Sequence, residues 1–587
     1  MALIDKASLL FVPSVVAQEK AFNILPSGNR APDSTDQNSG YDQTRADFSF
    51  DRGSNAAATR IGSDGLIEKY RENKLVQSNN FGTTWTKQNV SVTSGQSGYD
   101  GSSNAWKLIA AGGNNDKILQ SVTQTGVVTL SVYAKAGNVN FIAFEYSGYA
   151  YFNLSTGAVG ISGGIIDSNI EDVGGEWYRC SITVNISSTT NAQIYVAEAN
   201  NSTNTSNGDF VYIQNAQLET SMVATDYLDS GATTAKAGVL VDLPRINYDA
   251  NGENGALLLE PSRQNKIQYS EYFGDSSWSQ YVFGGASLTK TFGYTSPEGV
   301  DNAYKFDVVI GTGGVLLTQN FTATASVDHT LSVWMKGEVG GEKVQIDFKN
   351  TSSSGPSGQL FTLTSEWKRY EVTKTNDSGT SRGFQFRMQQ SSGISNQTLY
   401  VYGAQAEASA SYATSYIPNH GASSGVTRAA DVCNGAGDAS TFNSTEGVLY
   451  AEFNTLSINP ASSRYITISN GSASNRIAIR QPSGADNQVS LFVVVGGSVQ
   501  VNLTHTLNIL NFNKIAIKYK VNDFALWVNG VEVLTDTSGS VPAEGTLNKL
   551  DFANFNGSSL PFEGNAKQIL YFPTALTDSE LATLTTL

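Results

Sequence analysis

The chain has 587 residues, 40 % of them hydrophobic and only 15 % charged, with 37 basic against 52 acidic side chains and a formal net charge of −15. That length exceeds a single core, and the acidic balance excludes a general nucleic-acid binder, which needs a basic footprint for phosphates, as well as adhesion to anionic membranes. With 26 Tyr, 27 Phe and 56 Gly, the chain is not composed like a disordered one, and its β-formers and glycines suit short strands joined by tight turns.

In chain order, residues 1–64 are predicted to be an N-terminal attachment arm and leader. "MALIDKASLLFVPSVVAQEKAFNILPSGNRAP" mixes apolar stretches with Pro and Gly and is too short for a domain. Two expectations stand side by side: an extended arm that docks on a partner or neighbouring subunit by strand addition, or a strand and loop of the first module. "LLFVPSVVA" (Leu9 to Ala17) is short, broken by Pro13 and preceded by Asp5 and Lys6, so it is not read as a secretory h-region. No apolar run approaches the ~20 residues of a membrane helix, so no membrane insertion is expected.

The next stretch contains itself twice. Arg71, Asn73, Lys74, Ser78, Phe81 and Trp85 match Arg263, Asn265, Lys266, Ser270, Phe273 and Trp278. "NAWKL" (from Asn104) matches "NAYKF" (from Asn302), and "TLSVYAKAG" (from Thr129) matches "TLSVWMKGE" (from Thr330). "GEWYRC" (Gly175 to Cys180) has its copy in "SEWKRY" (Ser365 to Tyr370), and "VYIQNAQLE" (Val211 to Glu219) in "LYVYGAQAE" (Leu399 to Glu407). The matched pieces alternate with period 2 and are separated by Asn- and Gly-rich turns, the pattern of an antiparallel β-sandwich. The predicted organisation is module 1 at 65–229, a linker or leader at 230–255, module 2 at 256–420, a linker at 421–445 and a third sandwich at 446–587. The fold class is all-β: tandem antiparallel sandwiches (jelly rolls) with little helix.

The third module opens at "EGVLYAEF". Its "WVNGVEV" (Trp527 to Val533) carries Asn-Gly between β-formers, a strong hairpin signal. "TALTDSELATL" is the one clear helical pattern, with Thr577 or Asp578 as cap.

Catalytic chemistry has little to stand on: there is no GxSxG elbow with triad partners, HExxH or Walker loop, so no catalytic residue is assigned and a non-enzymatic protein is expected. His329, His420 and His505 are far apart and read as ordinary loop or strand residues. Cys180 and Cys433 fall in different modules, so no disulfide between them is expected. Calcium is the one cofactor left open: "DANGENGALLLE" offers Asp249, Asn251, Glu253 and Glu260, but Asn254 stands where such a loop needs Gly. Asp523, Asp536 and Asp551 are further oxygen ligands without a diagnostic spacing. Among the tryptophans, the repeated positions favour packing over ligand platforms.

The order "EGVLYAEF … NKIAIKYKVNDFALWVNGVEV … AKQILYFPTALTDSELATL" resembles the concanavalin A-like, laminin-G-like lectin superfamily. The duplicated modules, with "F/L-S-V-Y/W-x-K", "W-x-R" and "Q-x-E-x-x-x-x-A-T-x-Y", resemble repeat modules of phage tail and virion fibre proteins, which are similar to carbohydrate-binding jelly rolls. The resemblance implies a phage virion protein at the particle surface or tail, held to other virion proteins through its N-terminal segment and contacting a host-surface glycan. By analogy with fibres it implies a homo-oligomer, a trimer among the options. Within the unrepeated third module the candidate ligand-binding residues are Trp527, Asn529, Asn554 and Asn556. The alternatives are a secreted or surface bacterial adhesin, a polysaccharide depolymerase and a purely structural decoration protein.

Overall fold

The computed structural model describes residues 3–17, 20–23, 48–54, 57–350, 358–376 and 379–586. Antiparallel strands dominate, and Asp578–Thr585 is the single α-helix among the described residues. The chain divides into two compact units, and both are discontinuous: residues 1–68, 239–263 and 427–587 form one, residues 69–238 and 264–426 the other.

The first unit corrects the reading of its N-terminal and linker segments. Leu9–Ala17 pairs antiparallel with Gly564–Phe572, with Leu9, Leu10 and Phe11 opposite Tyr571, Leu570 and Ile569. Phe48–Asp51 pairs with Val432–Ala436, and Ala256–Leu259 with the other part of Gly564–Phe572. So the strand addition occurs within the chain's own terminal sandwich; Ile246–Asn247 of the first predicted linker and Val432–Ala436 of the second are strands of it, and so is Ala256–Leu259, which the sequence reading placed at the start of module 2. Residues 24–47 of the predicted arm, and the start of its leader, lie outside the described residues. One hydrogen-bonded path of strands runs from Ser498–Thr506 to Val531–Asp536 and folds round a main core, with smaller apolar clusters on its other face. That core takes Leu9, Phe11, Phe48 and Phe50 from the first segment and Leu257 and Leu259 from the second.

A buried ion network joins the three segments. Arg245 Nη1 lies 2.8 Å from Glu260 Oε2 and its Nε 3.3 Å from Asp431 Oδ1. Arg428 also pairs with Glu260, and Arg52 Nη1 is 3.5 Å from Asp431 Oδ1. Three guanidinium groups thus share two carboxylates at essentially zero exposure. Burial lowers the Arg52 pKa to about 10 even though Asp431 opposes the shift.

The second unit holds both repeats. In module 1, six strands run in the order Val90–Gln96, Ala105–Ala110, Phe210–Glu219, Gly126–Ala136, Trp177–Ile186, Asp167–Gly174. In module 2, Ser287–Tyr294, Ala303–Val309, Gln397–Ala408, Asp328–Gly337 and Lys368–Thr375 follow the same order. Each of these sheets packs on a second sheet around its own core. The modules also meet within this unit: Val127 N donates to His420 O at 2.7 Å and Asn185 Nδ2 to Tyr269 Oη at 2.7 Å. Lys69, mostly buried, pairs with Glu271 at 2.5 Å and also with Glu298.

Candidate functional site

The repeated polar residues have structural work, and it is the same work twice. Asn265 donates to Ala404 O (3.1 Å) and Ile417 O (2.8 Å) and accepts from Ile267 N and Ala406 N. Asn73 makes the equivalent four bonds with Ala216, Leu228, Leu75 and Leu218. Glu407 accepts from Thr414 N and Oγ1, as Glu219 does from Thr225. Arg369 donates to Thr414 O at 2.5 Å and to Ser332 Oγ at 2.9 Å, and Arg179 to Thr225 O and Ser131 Oγ. Together they clamp the closing segment of each module across its sheet, satisfying backbone groups that burial would otherwise orphan.

Outside these clamps, a second repeated set faces away from the core. In module 1, Lys107, Tyr212, Lys135 and Trp177 stand directly opposite one another across four strands. In module 2, Lys305, Tyr400 and Lys336 do the same, and Trp367 ends the row, its ring 5.5 Å from Lys336 Nζ. Strand alternation puts these residues on one face. The two copies differ in access. Trp177 is 3 % exposed, packed with Tyr133, whose ring is stacked on Tyr99 at 3.9 Å. Trp367 is half-buried and donates from Nε1 to Thr295 O at 3.2 Å.

The module 2 face is built from rings and charges held in place. Lys336 Nζ sits 5.1 Å from the Tyr400 ring, and Lys305 Nζ 5.6 Å from the Tyr294 ring. Tyr294 and Tyr400 pack at 5.2 Å. Tyr400 Oη donates to Glu338 Oε2 at 2.5 Å; burial, then this carboxylate, push its pKa up to about 12. Lys305 pairs with Asp307 at 2.9 Å, and Thr398 Oγ1 donates to Asp307 at 2.8 Å. Although partial burial opposes it, these two partners hold the Asp307 carboxyl below its usual range.

Next to Tyr400 lies an open groove of about 580 Å³, walled by residues 338–343 and 393–398. Glu338, which accepts from Tyr400 of the row, also walls the groove. Glu338, Ser395 and Asn396 are exposed, and Val339 is 81 % exposed. The walls are fixed from behind: Asn396 accepts from Ile310 N at 2.8 Å, and Gln397 exchanges two bonds with the Lys343 backbone. The Glu342 carboxylate lies against Gly337, and a Cβ there would make that side chain move aside. The site therefore offers aromatic faces for C–H surfaces beside amide, hydroxyl and carboxylate groups for hydroxyls.

The residues selected from sequence in the third module do other things. Trp527 is 6 % exposed, packed with Tyr450, Phe572, Leu576 and Leu581 beneath the C-terminal helix. Asn529 (φ +48°) and Gly530 (φ +87°) are the two left-handed residues of the hairpin, and Asn529 bonds to Lys514 N and Asn513 Oδ1. Asn554 is buried and accepts from Arg476 at 2.9 Å. Asn556 is exposed, but its Oδ1 closes its own turn on Ser558 and Ser559. The four do not form one surface. The calcium candidates do not converge either. Glu260 belongs to the arginine network, Asp249 caps Asn251 and Glu253 N–H groups, Asp523 pairs with Lys518, Asp536 caps Ser538, and Asp551 sits by Lys549. Among the described residues no three His, Cys, Asp or Glu side chains are grouped to hold a metal. Sequence reading missed the Lys–Tyr–Lys–Trp row, although each member lies in a repeated motif.

No family model matches the chain, and no curated protein matches it. Among solved structures, it is similar to the CBM40 of the Ruminococcus gnavus IT-sialidase at 18 % identity and TM-score 0.23, covering 26 % of this chain and 93 % of that one. Domain 4 of AbnA, a GH43 extracellular arabinanase from Geobacillus stearothermophilus, in complex with arabinotriose, matches at 14 % identity and TM-score 0.23, covering 27 % and 73 %. A structure described as "CBM4 structure and function" matches at 14 % and 0.19, covering 22 % and 86 %. Scores of this size carry no inference about a ligand.

Proposed function

We propose that this chain is a non-enzymatic phage virion protein of the tail or surface fibre, and that it binds a host-surface glycan through the outer face of module 2. The observation that carries the binding part is the half-buried Tyr294–Tyr400–Trp367 set, interleaved with Lys305 and Lys336 and continuous with a polar groove of about 580 Å³. Sugars present apolar C–H faces ringed by hydroxyls, and rings beside hydrogen-bonding groups match both. The virion assignment rests on the motif resemblance. Repeated copies on a particle raise weak affinity by multivalency, which suits a shallow open site. A glycan array probed with the intact chain and with the double variant Trp367→Ala/Tyr400→Ala tests the binding. Expected is a set of glycans bound by the parent and lost in the variant with an unchanged thermal midpoint. Silence of the intact chain on glycans of the host surface would overturn the proposal in favour of a structural decoration role.

A further inference from the structure

A second set of cations lies in the first unit, on the sheet face turned away from its core. Ile477 and Ile479 point into that core, so Arg476 and Arg480 share the opposite face of the same strand. The neighbouring strand puts Phe492 opposite Ala478, between them. The Arg480 guanidinium lies 4.3 Å from the Phe492 ring centroid and that of Arg476 5.3 Å, so both flank one ring. Arg476 also lies 5.4 Å from Phe555 and 5.9 Å from Tyr465.

The hydrogen bonds that hold these arginines use neutral partners. Arg476 Nη1 donates to Asn554 Oδ1 at 2.9 Å and Arg480 Nη2 to Asn502 Oδ1 at 2.7 Å. The Nε of each is buried, as in Arg179 and Arg464, so the donors left for a ligand are the remaining Nη groups, Nη2 of Arg476 and Nη1 of Arg480. Neither makes an ion pair among the described residues, whereas the fully buried Arg52, Arg245 and Arg428 all contact carboxylates. Two positioned, uncompensated guanidinium groups in a chain of formal charge −15 make a local anion site, because a planar fork with free donors matches a carboxylate, sulfate or phosphate. Burial lowers the Arg476 pKa and the charge of Arg480 lowers it further, against Tyr465; a bound anion opposes both by favouring the charged guanidinium.

We propose that Arg476 and Arg480 bind the anionic group of an acidic saccharide on this outer face. Asn502, exposed on the strand beyond that of Phe492, has its Oδ1 on Arg480 and offers its Nδ2 to sugar hydroxyls, and the chain's overall negative charge disfavours a long uniform polyanion such as nucleic acid. The site uses none of the module 2 residues and stands whether or not that face binds sugar.

Calorimetric titration of the intact chain with trigalacturonate and with its methyl ester tests the charge requirement. Galactose 6-sulfate, glucose 6-phosphate and inorganic phosphate distinguish the anion source. Expected is at least tenfold tighter binding of one charged saccharide than of its uncharged counterpart, weakened by raised salt. Arg476→Gln and Arg480→Gln are each expected to lose about tenfold, with Arg480→Lys in between because it keeps charge without the fork. Trp367→Ala is expected to leave this binding unchanged. Equal binding, or none, of charged and uncharged saccharides to the parent protein overturns the proposal, whatever the variants' folding. So does full retention in both Gln variants, or phosphate alone binding as tightly as any sugar.

Discussion

Asn265 is fully buried because it stands in for backbone partners that the closing segment of module 2 lacks. Its removal leaves two carbonyls and two N–H groups unpaired in the core. Asn265→Ala is therefore expected to cost about 3 kcal/mol, read by chemical denaturation, and Asn73→Ala the same in module 1. Glu298 behaves differently. Burial raises its carboxyl pKa to about 7, and nearby Glu271 adds to this, because a single Lys69 serves two carboxylates. Glu271, despite its burial, is held below the usual range by Lys69 and His420. A raised carboxyl pKa means that the Glu298 contribution is fully present below about 4.5 and is lost as pH rises through about 7. Glu298→Gln is expected to flatten the fall in Tm between pH 5 and 8; an unchanged slope would contradict the shift. Roles of this kind were only half legible in the sequence. Repetition marked Asn73, Asn265, Arg179 and Arg369, yet which atoms they meet depends on a closing segment that returns 139–155 residues after the asparagines and 45–46 after the arginines. Trp527 and Asn554 drew attention as unrepeated side chains, but one fills the space under a helix and the other holds Arg476.

Strands were legible as elements because period 2 and Asn-Gly turns are local. So was the helix, where Thr577 accepts from Glu580 N and the Glu580 carboxylate returns to Thr577 N. Which strands become neighbours was not local. Lys107, Tyr212, Lys135 and Trp177 lie in four separate motifs, and only the sheet order aligns them. The same holds for Leu9–Ala17, whose apolar residues are unremarkable until Gly564–Phe572 lies beside them. Phe11 is fully buried, edge-on to Phe48 at 5.5 Å and Phe552 at 6.4 Å. Phe11→Ala is expected to destabilise the first unit by about 3–5 kcal/mol, measured by urea unfolding. A change below about 0.5 kcal/mol, the size expected of an exposed position, would mean that this segment is not part of the core.

At the scale of the molecule, the chain leaves its first unit twice and returns twice, so that unit depends on residues far apart in sequence. The Arg52–Arg245–Glu260–Arg428–Asp431 network spans all three of its segments. Asp431→Asn removes one of two carboxylates among three guanidinium groups and is expected to cost about 3–5 kcal/mol, since it strands buried charge; the urea midpoint of the first unit reports it. These charges carried no local pattern, which is why residues 239–255 and 427–445 read as linker and residues 256–263 as the start of module 2. The binding claim belongs to the whole chain as well, because the same row occurs twice and only the copy in module 2 leaves its tryptophan half-buried. The direct measurement is calorimetric titration of one array-positive oligosaccharide into the parent chain, Tyr400→Ala and the matched module 1 variant Tyr212→Ala. Expected is at least a tenfold loss of affinity for Tyr400→Ala and an unchanged value for Tyr212→Ala; equal affinity in parent and Tyr400→Ala would contradict glycan binding at the module 2 face.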